Sequence, residues 1–154
     1  MAEQMTATVK LETGMRFVAE AGSGHHITLD AAEHGGGQNA GFRPIELLLM
    51  GLGGCTGMDV ISILRKKRQQ VTGYQVHVSG IPAEENPMVF VEITVRHIIT
   101  GHHIQPEAVA RAIQLSEERY CGAGAMLGKV AHLRHTFHIV EVTKAPTVVA
   151  ATPA

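Results

Sequence analysis

Residues 43–71 read RPIELLLMGLGGCTGMDVISILRKKRQQV, and the reading of this stretch decides the fold. Pro44 suits a first helical position, Glu46 follows in the first turn where a negative charge complements the helix dipole, and the cations of RKKR suit a C-terminus. Gly73 is the next residue able to stop the chain, so the pattern predicts one helix from Pro44 to the residue before Gly73. That helix is the longest element expected. Inside it stand Gly51, Gly53, Gly54 and Gly57, each of which costs a helix about 1 kcal/mol relative to Ala. Glycines at that density imply a close approach to this backbone, by a packed helix, by a dimer partner, or by a substrate beside Cys55.

Cys55 itself has two readings. Free cysteine is among the most buried residue types; as a thiolate it is a reagent, favoured by a helix N-terminus or a nearby cation. If the helix restarts after Gly53-Gly54, the thiol lies in a first turn. If one helix runs unbroken from Pro44, the thiol is mid-helix and activation needs an arginine from elsewhere. Cys121 is the only other cysteine, and the absence of CxxC argues against thioredoxin-type exchange. A pair of thiols still permits a redox couple, one attacking an oxidant to become a sulfenic acid and the other resolving it as a disulfide.

Upstream, TATVKLE, MRFVAEA and HHITLDA are strand-like runs separated by Thr13-Gly14 and by GSG, which predicts an antiparallel meander. The glycine-rich AEHGGGQNAGF then delivers the chain to Pro44. Downstream, GYQVHVSG and MVFVEITVRHI alternate on Tyr74, Val76, Val78 and on Val89, Val91, Ile93, Val95, and PAEENP joins them as a hairpin. Pro106 and Glu107 open a second helix expected through Tyr120, with Val109, Ile113 and Tyr120 on one face. CGAGAMLGKVA predicts a short third helix, HTFHIVEV a last strand, and TKAPTVVAATPA a loose tail. The order predicts an α+β protein without βαβ alternation.

The 154 residues suit one domain, and 45% apolar with 18% charged residues is ordinary for a globular protein. Thirteen Lys and Arg against fourteen Asp and Glu leave no basic excess, so a nucleic-acid partner is not expected. The N-terminus lacks the apolar segment of a signal peptide, and the charge-free part of Ile45 to Leu64 is short for a bilayer span; a soluble, cytoplasmic protein without a membrane partner is expected. Cytosolic thiols are kept reduced, which argues against a structural disulfide. The ten histidines, richest in HLRHTFH, match no metal spacing, and HExxH, GxSxG, Walker A and GxGxxG are absent, so no metal or bound cofactor is expected. Asp59 and Glu46 are a conceivable carboxylate pair.

Two motifs now carry a resemblance. RPIELLLMGLGGCTGMDVISILRKKRQQV, with its proline–acid–leucine opening and small residues before cysteine, and LSEERYCGAGAMLGK, with cysteine after tyrosine at a helix start, resemble the two cysteine motifs of the OsmC/Ohr superfamily of thiol-dependent hydroperoxide reductases. The order of elements agrees from about Thr6 to Val142, and GSGH, PIELLLMGLGGC and DVISILRKKRQ look closest to the YhfA-like branch.

The resemblance implies an OsmC-like α+β fold, a single domain over residues 1–144 with a loose tail at 145–154. Antiparallel sheets would surround a long central cysteine-bearing helix, and two copies would form an intertwined homodimer. It makes Cys55 the peroxidatic thiol and Cys121 the resolving one. In the family an N-terminal arginine holds the thiolate and a glutamate orients it; Arg16 is the nearest match, and Arg43 a second candidate. Glu46 stands one place after the Ohr glutamate position, occupied here by Ile45, a rotation of about 100° on a helix. The implied reaction is reduction of hydroperoxides, organic ones preferred, in oxidative stress defence, with an external dithiol, such as a lipoylated protein, reducing the disulfide. The alternatives are a non-catalytic small-ligand-binding protein on the same fold and a different thiol chemistry.

Overall fold

Two glycine-centred reversals shape the N-terminal strands: Gly14 and Gly24 adopt φ of 54° and 83°, values that L side chains rarely take. They join β1 (Ala7–Thr13), β2 (Arg16–Ala21) and β3 (His26–Leu29) into an antiparallel meander in the order β1-β2-β3. The computed structural model describes residues 2–143, so the expected tail at 145–154 lies outside the described residues. Contacts divide the chain into two compact units, Met1–Met50 and Gly51–Ala154.

In the first unit the glycine-rich segment is tied down by Asp30, whose carboxylate accepts the N–H groups of Ala31, Gln38 and Ala40 at 2.8, 3.0 and 3.0 Å. These bonds need close backbone approach. A Cβ on Gly37 would stand 2.0 Å from the Ala31 carbonyl oxygen, and one on Gly41 2.5 Å from that of Thr28. The N–H groups of Ala40 and Gln38 hold the Asp30 carboxyl below its usual pKa against the opposing effect of burial, with Arg16 adding a smaller electrostatic contribution.

Helix α1 (Pro44–Lys66) is unbroken. It stops well before Gly73, because Arg68 turns into a left-handed conformation at φ 57°. Gln70 then starts β4 (Gln70–Pro82), paired with β5 (Phe90–His102) from His102 onward. Gly73 lies at a register shift in that pairing rather than at a helix end. Its strand partner Thr100 captures residues that local propensity offered to the helix.

The second sheet runs β4-β5-β6, and β6 (His132–Glu141) pairs parallel to β5, from Glu92↔His132 to Gly101↔Glu141. A parallel pair requires a crossover. α2 (Pro106–Leu115), a π-helical turn at Ser116–Tyr120 and α3 (Gly122–Leu127) supply it. The expectation of no βαβ arrangement is therefore corrected, since the direction of β6 depends on a partner distant in sequence. The second helix also ends as an α-helix at Leu115, leaving Tyr120 58% exposed rather than on the buried face.

The core of this unit is Val60 and Leu64 of α1, Ile99 of β5, Ile104, and Ala108, Val109, Ala112 and Ile113 of α2. Ile93, Val95, His97 and Ile99 point inward along β5, while Val91, of the same parity at the strand's start, and Val89 before it are exposed. Much of α1 is uncovered within one chain. Its 18-residue apolar window has a mean hydropathy of 1.8, yet only 22% of it is buried, and Ile45, Leu48, Met50 and Met58 are exposed. By length and composition it would also pass for a membrane span, as core helices of soluble proteins do.

Candidate active site

Because α1 continues through its glycines, Cys55 lies about three turns beyond Pro44, mid-helix. A dipole effect confined to the first turn does not reach it. Asp59, four residues on, shares its face. Between them Thr56 is fully buried, and there the helix meets the π-helical turn: the Ser116 hydroxyl donates to Asp59 Oδ2 at 2.9 Å and lies 3.0 Å from Thr56 Oγ1. The same turn closes with Cys121 N–H donating to Ser116 O at 2.8 Å, and Cys121 becomes the N-cap of α3. π turns widen the backbone, often at functional sites. This one sets the height at which the second thiol faces the first.

One ligand atom from each of Cys55, Asp59 and Cys121 lies within 4.8 Å of the other two. Both cysteines are free; Cys55 is half-buried and Cys121 buried. The Cys121 thiol is pushed up to about 11 by burial first, then by its hydrogen bond to Cys55 and the negative charges of Cys55 and Asp59, while the Gly124 N–H, 3.2 Å from Sγ, opposes them. Near neutrality Cys121 is therefore a protonated thiol beside Cys55. Sulfurs this close can form a disulfide after side-chain rotation brings them to about 2.05 Å.

The other residues singled out in the sequence belong to the Met1–Met50 unit. Arg16 Nε donates to Glu12 at 2.7 Å. Arg43 donates from its guanidinium to the carbonyls of Gly41 (2.9 Å) and Asp30 (3.3 Å) and to Asn39 Oδ1, which fastens the glycine-rich segment. Glu46 Oε2 accepts the Arg43 backbone N–H at 2.9 Å, one half of a capping box. Glu46 and Asp59 each have a hydrogen-bond partner of their own, the Arg43 N–H and the Ser116 hydroxyl. The unit also carries an open groove of about 800 Å³ with apolar walls at Val9, Met15, Phe17 and Leu29.

Sequence reading missed Thr56 and Ser116 and undervalued Asp59. The i,i+4 spacing from Cys55 was a usable signal for Asp59; nothing in SEERY announces a π turn.

A second polar cluster fills the interior of the sheet. Tyr74 OH lies 2.6 Å from His97 Nδ1, His97 Nε2 lies 3.0 Å from His135 Nδ1, and His135 Nε2 is 3.7 Å from Glu117. Tyr74 donating to His97, His97 to His135 and His135 toward Glu117 uses every proton once. His97 is fully buried, and burial first, then the His135 charge, lower its pKa to about 4. Burial likewise raises Tyr74 and lowers His135, although Glu117 opposes the latter.

Comparison with known proteins places this geometry in context. The OsmC-like protein family matches residues 35–135. The chain is 39% identical to Protein YhfA of Escherichia coli over 136 residues, which span 88% of this chain and 98% of that one. An OsmC like protein from Mycoplasma pneumoniae superposes with a TM-score of 0.77 at 20% identity, covering 91% of this chain and 99% of that one. An organic hydroperoxide resistance protein OsmC from Legionella pneumophila does so with a TM-score of 0.62 at 12% identity, covering 92% and 99%. At those identities the two structures show the shared fold.

Proposed function

Since this chain belongs to the OsmC-like family, we propose that it is a thiol-dependent hydroperoxide reductase. The observation that carries the reading is the meeting of Cys55, Cys121 and Asp59 within 4.8 Å. The Cys55 thiolate attacks the distal oxygen of ROOH; the S–O bond forms as the O–O bond breaks, and the leaving alkoxide takes a proton to become ROH. Cys55 is left as a sulfenic acid. Cys121 then gives up its proton and attacks that sulfur, releasing water and closing the disulfide. The Asp59 carboxylate is the nearby group able to receive that proton. An external dithiol, a lipoylated protein by analogy with the Ohr resemblance, returns both thiols.

Arg16 is the favoured cation for the Cys55 thiolate and the leaving oxygen, with Arg43 second, because a mid-helix thiol lacks the helix-end charge. The homodimer belongs to the same proposal. Its support is the uncovered apolar surface of α1 and the open space beside Gly51 and Gly54, where a second copy would pack. A cytoplasmic location and a single-domain extent of 1–144 complete it. The test is mass spectrometry after one equivalent of cumene hydroperoxide or hydrogen peroxide. The reading expects an intramolecular Cys55–Cys121 disulfide, formed faster with the organic peroxide; a chain left fully reduced by both ends the enzyme reading.

A further inference from the structure

We propose that the reduced protein binds one thiophilic divalent cation, with Zn²⁺ as representative, through Cys55 Sγ, Cys121 Sγ and one carboxylate oxygen of Asp59. In a tetrahedral zinc site with Zn–S of about 2.3 Å and Zn–O of about 2.1 Å, neighbouring donors stand about 3.5–3.8 Å apart. The three donors here already lie within 4.8 Å of one another, so each edge must close by at most about 1.3 Å. The donor set is selective. Two thiolates with one carboxylate suit zinc and other soft or borderline cations, whereas calcium and magnesium prefer oxygen alone.

The surroundings orient these donors as outer-shell groups orient ligands in metal sites. The fully buried Ser116 hydroxyl donates to Asp59 Oδ2 and holds the carboxylate in place beside the sulfurs. The Gly124 N–H donates to Cys121 Sγ, fixing its position and damping its charge when ionised. Asp59 also lines a surface cleft of about 420 Å³ together with Ser62 and Tyr120, so one of the three donor residues borders an open cleft. Lys66 and Lys67 border the same cleft and temper its attraction for cations. Three protein donors leave a fourth position for water or an exogenous thiol. Because the metal and a disulfide would use the same sulfurs, occupancy and thiol oxidation exclude one another.

The inference rests on the geometry of three side chains, whether or not the peroxide reading holds. Metal-free, reduced full-length protein titrated anaerobically with Co²⁺ is expected to show thiolate-to-cobalt charge-transfer absorption saturating at one equivalent, and Zn²⁺ is expected to displace it. Asp59→Asn is expected to weaken Co²⁺ binding about tenfold or more. Oxidation with diamide is expected to abolish it. Without any variant, one equivalent of Zn²⁺ is expected to shield both cysteines from iodoacetamide. Absence of the charge-transfer band, undiminished affinity in folded Asp59→Asn, equal binding by the disulfide form, or unslowed alkylation would each overturn the site. Peroxide consumption by the metal-free protein is read separately and reports only on the reductase proposal.

Discussion

The Gly51–Ala154 unit holds two clusters of titratable side chains that differ in one respect. Along Tyr74, His97 and His135 hydrogen bonds link each ring to the next, Glu117 stands 3.7 Å beyond His135, and burial drives Tyr74 and the two histidines toward their neutral forms. Around Cys55, Asp59 and Cys121 two nucleophiles and a carboxylate share a half-buried space. The histidine chain gives a sheet interior its hydrogen bonds, whereas the thiol cluster leaves reactive groups within reach of one another. A buried titratable group marks chemistry only when its neighbours leave it something to do.

The largest effect expected from breaking this contrast is Cys55→Ser, which should abolish hydroperoxide consumption; Cys121→Ser should permit a single turnover and leave a sulfenic acid that dimedone traps. His97→Phe should leave thiol oxidation intact while lowering stability by about 1–3 kcal/mol, because the Tyr74 hydroxyl and His135 lose their partner. Urea unfolding together with a peroxide assay would show both halves of that prediction. Loss of peroxidase activity in a folded His97→Phe protein would mean the two clusters are coupled.

Of similar size is the effect at the glycines. A Cβ at Gly53 would meet Val78 at 3.0 Å within the chain, while at Gly54 it would meet nothing within 4 Å. In a lone chain Gly54→Leu should therefore stabilise the helix by somewhat under about 1 kcal/mol. Against a second copy the same side chain should overpack by about 1–3 kcal/mol and shift sedimentation toward monomer. The proposed dimer predicts the second result.

Smaller effects follow from protonation. His97 titrates near 4 in the folded protein against 6.5 when unfolded, so between those values the unfolded chain binds more protons. Stability should be fully present above pH 6.5 and fall as the pH drops toward 4, and His97→Phe should flatten that slope. The least effect is expected from Asp59→Asn placed in a Cys55→Ser background. Removing one of the charges that raises Cys121 should lower its pKa, seen as faster alkylation at a given pH.

By itself the sequence determined the meander, the long cysteine-bearing helix, the β4–β5 hairpin and the helix start at Cys121, because alternation, helical periodicity and Pro or Gly punctuation act between near neighbours. It also carried both family motifs. Only the tertiary structure decided where α1 ends, since Gly73 is claimed by a strand pair with Thr100. The parallel direction of β6 depends on β5 across the intervening helices. The roles of Arg43 and Glu46 depend on a loop folded around Asp30 and on a helix cap. Ser116 joins Asp59, and His97 joins His135, across 57 and 38 residues of chain. No periodicity encodes such a meeting; it forms when packing of α1, β5 and α2 around one core brings their polar groups together and burial makes an unpaired one costly.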